Sequence, residues 1–216
     1  MRTLIIACRT LEDELRLAIA QTGVVFPVLF WEAGLHLKPE LLRERIQQDI
    51  DRIENIDVLL MAYGICGKGL MGIKSSHCRI IVPRVHDCIS LLLGSGGLRD
   101  VNGGDTYYVT KGWLTHELSL LGGFHRSVAR YGEQRAIKTL KSMMKHYTKV
   151  ATIDTGAYSL EEITPRVEML AEKLGWRHEV VSGSLRMFHK LLVGPWDDEF
   201  IVLEPGQEIT LKDIVL

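Results

Sequence analysis

None of the four cysteines in this 216-residue chain falls in a C-x-x-C pair, so neither a zinc ribbon nor a thioredoxin-like motif is written locally. No apolar run approaches the roughly 20 residues that a membrane-spanning helix needs. Met1-Arg2 leads straight into the strand-like Thr3–Ala7 without a signal peptide. The expectation is a cytoplasmic protein with no membrane partner. Charge of one sign is missing too: 26 basic against 27 acidic residues leave a net charge of −1, which supplies no sequence-wide field to recruit nucleic acid. There is no internal repeat, no low-complexity tract and no Pro- or Ser-rich linker.

What is present is an ordinary globular composition, 46% hydrophobic and 25% charged, sufficient for a real core and unlike disordered, collagen-like or coiled-coil chains. Cys8, Cys66, Cys78 and Cys88 suit a reducing compartment and are read as thiols. Short apolar runs alternate with helical periodicity. Thr3–Ala7, Val24–Trp31, Asp57–Tyr63 and Arg79–Val85 read as strands, with helices over Leu11–Gln21, Pro39–Ile56 and His86–Leu93. The middle is less regular: a brief strand at Thr106–Thr110, then two helices within Leu114–Tyr147 broken near Gly122-Gly123 or Gly132. Alternation returns with strands at Val150–Ile153, His178–Val181 and Phe200–Leu203 and helices at Leu160–Leu174 and Leu185–Leu192. The fold expected is α/β, a mostly parallel open sheet with helices on both faces. It forms one domain over residues 1–216 or two closely packed lobes meeting near 100–115.

In such a sheet ligands bind beyond the carboxyl ends of the strands, where loops and helix N-termini converge. Cys8 ends the first strand, Cys66 follows the third and Cys88 follows the fourth, whereas Cys78 precedes its strand and belongs at the opposite edge. Three thiolates brought together ligate zinc or hold a [4Fe–4S] cluster with one position left open; unassembled, they are small core hydrophobes. A helix N-terminus beside Cys88, with Arg84 nearby, is expected to lower that thiol's pKa. His86 is a candidate fourth ligand or general acid, and Asp87 a helix cap or the partner that orients an imidazole. His36 is a weaker candidate for the same mouth.

The stretch Gly64–Gly72 is glycine-dense enough to wrap a ligand, with Gly64, Gly67 and Gly69 as the close-approach positions and Lys68 available to an anion. It lacks the G-x-x-x-x-G-K-[ST] order of a phosphate loop. Gly94-Ser95-Gly96-Gly97 reads as a helix stop or, through Ser95, a backbone anion nest. Tyr107, Tyr108 and Trp113 form an aromatic wall or a piece of core. Asp154-Thr155-Gly156 matches the aspartic-protease triplet, but a single copy in an α/β setting argues against that chemistry.

The segments Ile5-Ile6-Ala7-Cys8, Tyr63-Gly64-Ile65-Cys66-Gly67, Pro83-Arg84-Val85-His86-Asp87-Cys88 through Leu92-Leu93-Gly94-Ser95, and Gly112-Trp113 together resemble an uncharacterised family of anaerobic bacteria and methanogenic archaea, catalogued as a domain of unknown function. Cys8, Cys66, His86 and Cys88 match its motif positions, and Cys78 does not. The resemblance implies a setting in corrinoid-dependent methyl transfer, with a corrinoid protein or methyltransferase as partner, and supplies no reaction. The leading expectation is therefore an enzyme whose Cys8, Cys66 and Cys88 hold zinc or an iron–sulfur cluster, with His86, Asp87 and Arg84 acting on a small-molecule substrate. The rivals are a non-catalytic accessory protein that binds metal, corrinoid or a partner enzyme, and a metal-free cysteine enzyme using Cys88 with His86.

Overall fold

The computed structural model describes residues 1–34, 38–66, 69–94 and 104–214. The chain divides into two compact units, one formed by Met1–Leu98 with Ser184–Leu216 and the other by Arg99–Gly183.

The first unit is built on a five-stranded sheet. β1 (Thr3–Cys8) and β3 (Val58–Ala62) are unbroken apolar runs, buried at every position, because strands covered on both faces have no solvent side to alternate toward. β2 (Val28–Trp31) and β4 (Arg79–Pro83) complete a parallel set. β8 (Phe200–Leu203) closes the edge antiparallel to β4, with Pro83 opposite Phe200. The order is β2-β1-β3-β4-β8, so the chain steps from β1 to one side and then crosses back to the other. The progression reverses between β1 and β3, the place where an open α/β sheet forms its ligand crevice.

Helices flank this sheet. A 3-10 turn at Arg9–Leu11 leads into α1 (Glu12–Thr22), which stops at Gly23 in the left-handed conformation. α2 (Pro39–Arg52) begins on its proline and buries Leu42, Ile46 and Ile50, one stripe at helical spacing. α3 (Cys88–Leu93) is short. After the second unit, α8 (Arg186–Val193) packs against α1, β3 and β4, and His189 Nε2 meets Gln21 Oε1 at 2.6 Å. α9 (Leu211–Ile214) is the last described helix.

The second unit has a parallel three-stranded sheet in the order β5-β6-β7, from β5 (Thr106–Val109), β6 (Lys149–Asp154) and β7 (Arg177–Ser182). α4 (Lys111–Leu114), α5 (Leu120–Tyr131), α6 (Glu133–Met143) and α7 (Leu160–Leu174) accompany it. Gly132, at φ 80°, separates α5 from α6, so the helical break falls there and not at Gly122-Gly123, which continues α5. Phe124, Val150, Val167 and Leu170 form the core, with Tyr107 and Trp176 packed on it. The Tyr107 hydroxyl accepts from Trp113 Nε1 at 2.8 Å, and the Tyr107 ring stands edge-on to Tyr147. This half of the aromatic wall is therefore committed to packing. Asp154 accepts from the Gly156 N–H at 3.0 Å in a strand-end turn. Among the described residues no helix is long and apolar enough to cross a membrane.

Candidate functional site

The crevice between β1 and β3 collects the thiols. Cys8 is the last residue of β1, and its neighbour in register is Trp31 at the end of β2. Past β3, the chain runs through Tyr63, Gly64 and Ile65 to Cys66; past β4, it runs through Arg84 to Cys88. These two loops are clamped to each other by backbone hydrogen bonds: Ile65 N–H donates to the Val85 carbonyl at 3.0 Å and Cys66 N–H to the His86 carbonyl at 2.8 Å. The approach is close because residue 64 has no side chain. A Cβ there would sit 2.4 Å from the Asp87 backbone, well inside contact distance. Cys66 has φ 47°, the left-handed region that a non-glycine residue enters at a cost, and the Gly69 N–H donates back to its carbonyl at 3.2 Å.

The result is a run of interacting side chains. Tyr63 interacts with Cys8, Cys8 with Cys88, and Cys88 with Cys66. Backbone amides reach two of the sulfurs, the Thr10 N–H at Cys8 and the Gly64 N–H at Cys88, while Thr10 Oγ1 lies 3.1 Å from Cys8 Sγ. Tyr63 and Cys8 are buried, and Cys66 and Cys88 keep partial exposure. The Trp31 ring lies 6.1 Å from that of Tyr63.

This arrangement reverses one expectation. The thiol of Cys88 is pushed well above its ordinary value, first by the neighbouring Cys66 thiol and then by burial, against the lowering effects of the Cys8 thiol and the Gly64 N–H. Cys8 is raised in the same way by its bond to Cys88 and by burial, with Thr10 opposing. Tyr63 is raised chiefly by burial. A short helix start does not outweigh neighbouring thiols that hold each other's protons. The charge of Arg84 helps to hold the Asp213 carboxyl down; Arg84 Nε is enclosed and has no hydrogen-bond partner among the described residues.

Asp87 caps α3, accepting from the Ser90 N–H at 2.9 Å and from Ser90 Oγ at 3.0 Å. The His86 side chain is exposed, and its carbonyl serves the loop clamp. Gly69 lies against Leu42 and Cys66. Gly67, Lys68, His36 and Ser95 lie outside the described residues. Cys78 stands apart, donating to Ser75 Oγ at 3.2 Å.

Three polar side chains near this crevice or on its leading helix carry no signal in a motif. Tyr63 and Thr10 join the thiol run through contacts that only folding creates. Glu14 is fully buried on α1, yet in sequence it is the third member of the acidic first turn Glu12-Asp13-Glu14. Its helical phase, shared with Leu11, Leu15 and Ala18, is the clue that could have found it.

A family model described as a protein of unknown function (DUF1638) matches residues 30–192. The chain belongs to this family. The DUF1638 match takes in Cys66, Arg84, His86, Asp87 and Cys88 and begins beyond Cys8. No curated protein and no solved structure matches the chain.

The donor set of the DUF1638 crevice is that of a soft metal ion. Among the described residues no three histidine, cysteine, aspartate or glutamate side chains are arranged to hold a metal ion. A single ion asks only that the thiols lose their protons and turn toward a common point, with bonds near about 2.3 Å for zinc.

Proposed function

We propose that this protein is an enzyme of anaerobic, corrinoid-linked one-carbon metabolism that works through the thiols of Cys8, Cys66 and Cys88, which bind one thiophilic ion of the zinc class. The observation that carries the reading is the placement of Cys8, Cys66 and Cys88 beyond the carboxyl ends of β1, β3 and β4, where Cys88 interacts with both of the others. The metabolic setting rests on the sequence resemblance and the chemistry on the thiols.

A thiolate-bound ion with an open position supplies Lewis acidity for methyl or sulfur transfer or a lyase step. The chain's own residues do the rest. The Thr10 and Gly64 amides hold sulfur charge at Cys8 and Cys88. The 63–66 and 84–88 loops fix the sulfurs relative to one another. Arg84, with an enclosed Nε that lacks a partner among the described residues, offers a donor to an acceptor-bearing small molecule, and the exposed His86 is placed to exchange protons with solvent.

Anaerobic purification followed by metal analysis tests this. The expected outcome is a colourless protein carrying one zinc-class ion per chain, released on acidification as the sulfurs regain their protons. A brown protein containing iron and sulfide would replace the single ion with a cluster. A protein with no metal, and with no uptake of added zinc, would overturn the reading.

A further inference from the structure

Two of the three thiols are within reach of solvent. Cys66 and Cys88 both keep partial exposure, on loops clamped to each other by the hydrogen bond from the Cys66 N–H to the His86 carbonyl at 2.8 Å, and Cys8 is buried. Cys66 also interacts with Cys88. It is held at φ 47° by the hydrogen bonds from its N–H to His86 and from Gly69 to its carbonyl. Strain of this kind persists only where surrounding contacts impose it. Here they hold the partly exposed Cys66 on a loop that runs beside the one carrying Cys88.

We propose that Cys66 and Cys88 form a dithiol–disulfide couple, with Cys66 the entry thiol and Cys88 the resolving thiol, exchanging with a small-molecule disulfide. Cys66, as thiolate, attacks one sulfur of the external disulfide. That S–S bond breaks, one thiolate leaves and takes a proton from water, and a mixed disulfide remains on Cys66. Cys88 then gives its proton to solvent and attacks the Cys66 sulfur; the mixed bond breaks, the second external thiolate leaves, and the Cys66–Cys88 bond forms. Two protein thiols lose two electrons and two protons, and the external disulfide gains them as two thiols. Cys8 stays reduced, held by Thr10 and Tyr63, and Cys78 stays reduced beside Ser75. The couple uses sulfurs of the proposed ion site but does not require that an ion bind there.

The test uses the full chain, reduced and freed of metal by a chelator, and equilibrated with glutathione disulfide over a range of thiol–disulfide ratios. Free thiols are then alkylated and the bonds located by peptide mapping. The expected result is one intramolecular bond, Cys66–Cys88, with Cys8 and Cys78 alkylated. Cys88→Ser should stop at glutathione bound to Cys66. Cys66→Ser should react no faster than Cys78 does in the wild type. The wild-type map needs no variant, so a misfolded variant does not decide the outcome. A wild type that stays reduced, stops at the mixed disulfide or joins Cys8 to Cys88 would overturn the proposal. Zinc added to the reduced chain separates the two readings: uptake without exchange removes the couple and leaves the ion site, and exchange without uptake does the reverse.

Discussion

The Cβ that alanine would place at residue 64 falls 2.4 Å from both the carbonyl carbon and the Cα of Asp87. Because the obstacle is backbone on both sides, neither partner can swing away, and the loop after β3 must lift off the loop after β4. Gly64→Ala is expected to cost about 1–3 kcal/mol, the usual range for overpacking, and to draw the residue 64 amide away from Cys88. Urea unfolding and zinc titration of the same variant check this. A wild-type midpoint together with wild-type zinc uptake would refute it.

Cys78 serves as a built-in control. Its thiol answers to Ser75 and takes no part in the run that joins Cys8, Cys88 and Cys66. Cys78→Ala should keep its metal after anaerobic purification, while Cys66→Ala and Cys88→Ala should lose most of theirs, since each removes a ligand outright. Equal metal content in the three variants would show that the thiols do not share an ion.

Acid should loosen the strand end that supports the site. The Arg186 guanidinium and then the Lys190 ammonium hold the Glu199 carboxyl down to about 2, from an ordinary value of 4.5, and the Glu199 carbonyl accepts from the Arg84 N–H at 2.8 Å. A carboxyl lowered by folding stabilises the protein above its unfolded value, and that stability is lost as pH falls from about 4.5 toward about 2. Glu199→Gln should flatten this part of the profile of unfolding midpoint against pH. Parallel profiles for variant and wild type would exclude the carboxylate as the cause.

At the alkaline end the sign is opposite. Cys8 and Cys88 are both raised above the ordinary thiol value of 9.0, so the folded chain keeps protons that the unfolded chain gives up. Their contribution is present below about pH 9 and is lost as pH rises beyond it. Guanidinium midpoints on either side of that pH should fall more in the wild type than in a Cys8→Ala/Cys88→Ala variant. Matching slopes would mean that the thiols do not govern alkaline stability.

The elements were legible where burial leaves a one-dimensional trace. β1 and β3 are continuous apolar runs because both faces are covered, and α7 spans the predicted Leu160–Leu174 between the Ser159 cap and the left-handed Gly175. Pairing is not one-dimensional. The antiparallel return of β8 to β4, and the gathering of β5, β6 and β7 into a sheet of their own, depend on partners far away in sequence. The strand-end positions of Cys8, Cys66 and Cys88 could be read from the order of runs. The reversed shift of Cys88 could not, because it comes from the other thiols, and neither could Tyr63 or Thr10, which join the run only once β1 and β3 lie side by side.

The interrupted first unit also sets an order on synthesis. Residues 1–94, with all four thiols, leave the ribosome before the second unit, and α8 and β8 emerge only afterwards. Until Phe200–Leu203 arrive, β4 has an open edge, and without α8 the face of β3 and β4 that it covers is bare. A nascent chain in this state offers an unpaired strand to its neighbours for the time taken to translate about a hundred further codons. The first unit is therefore completed only by its last segment, whichever chemistry the finished crevice performs.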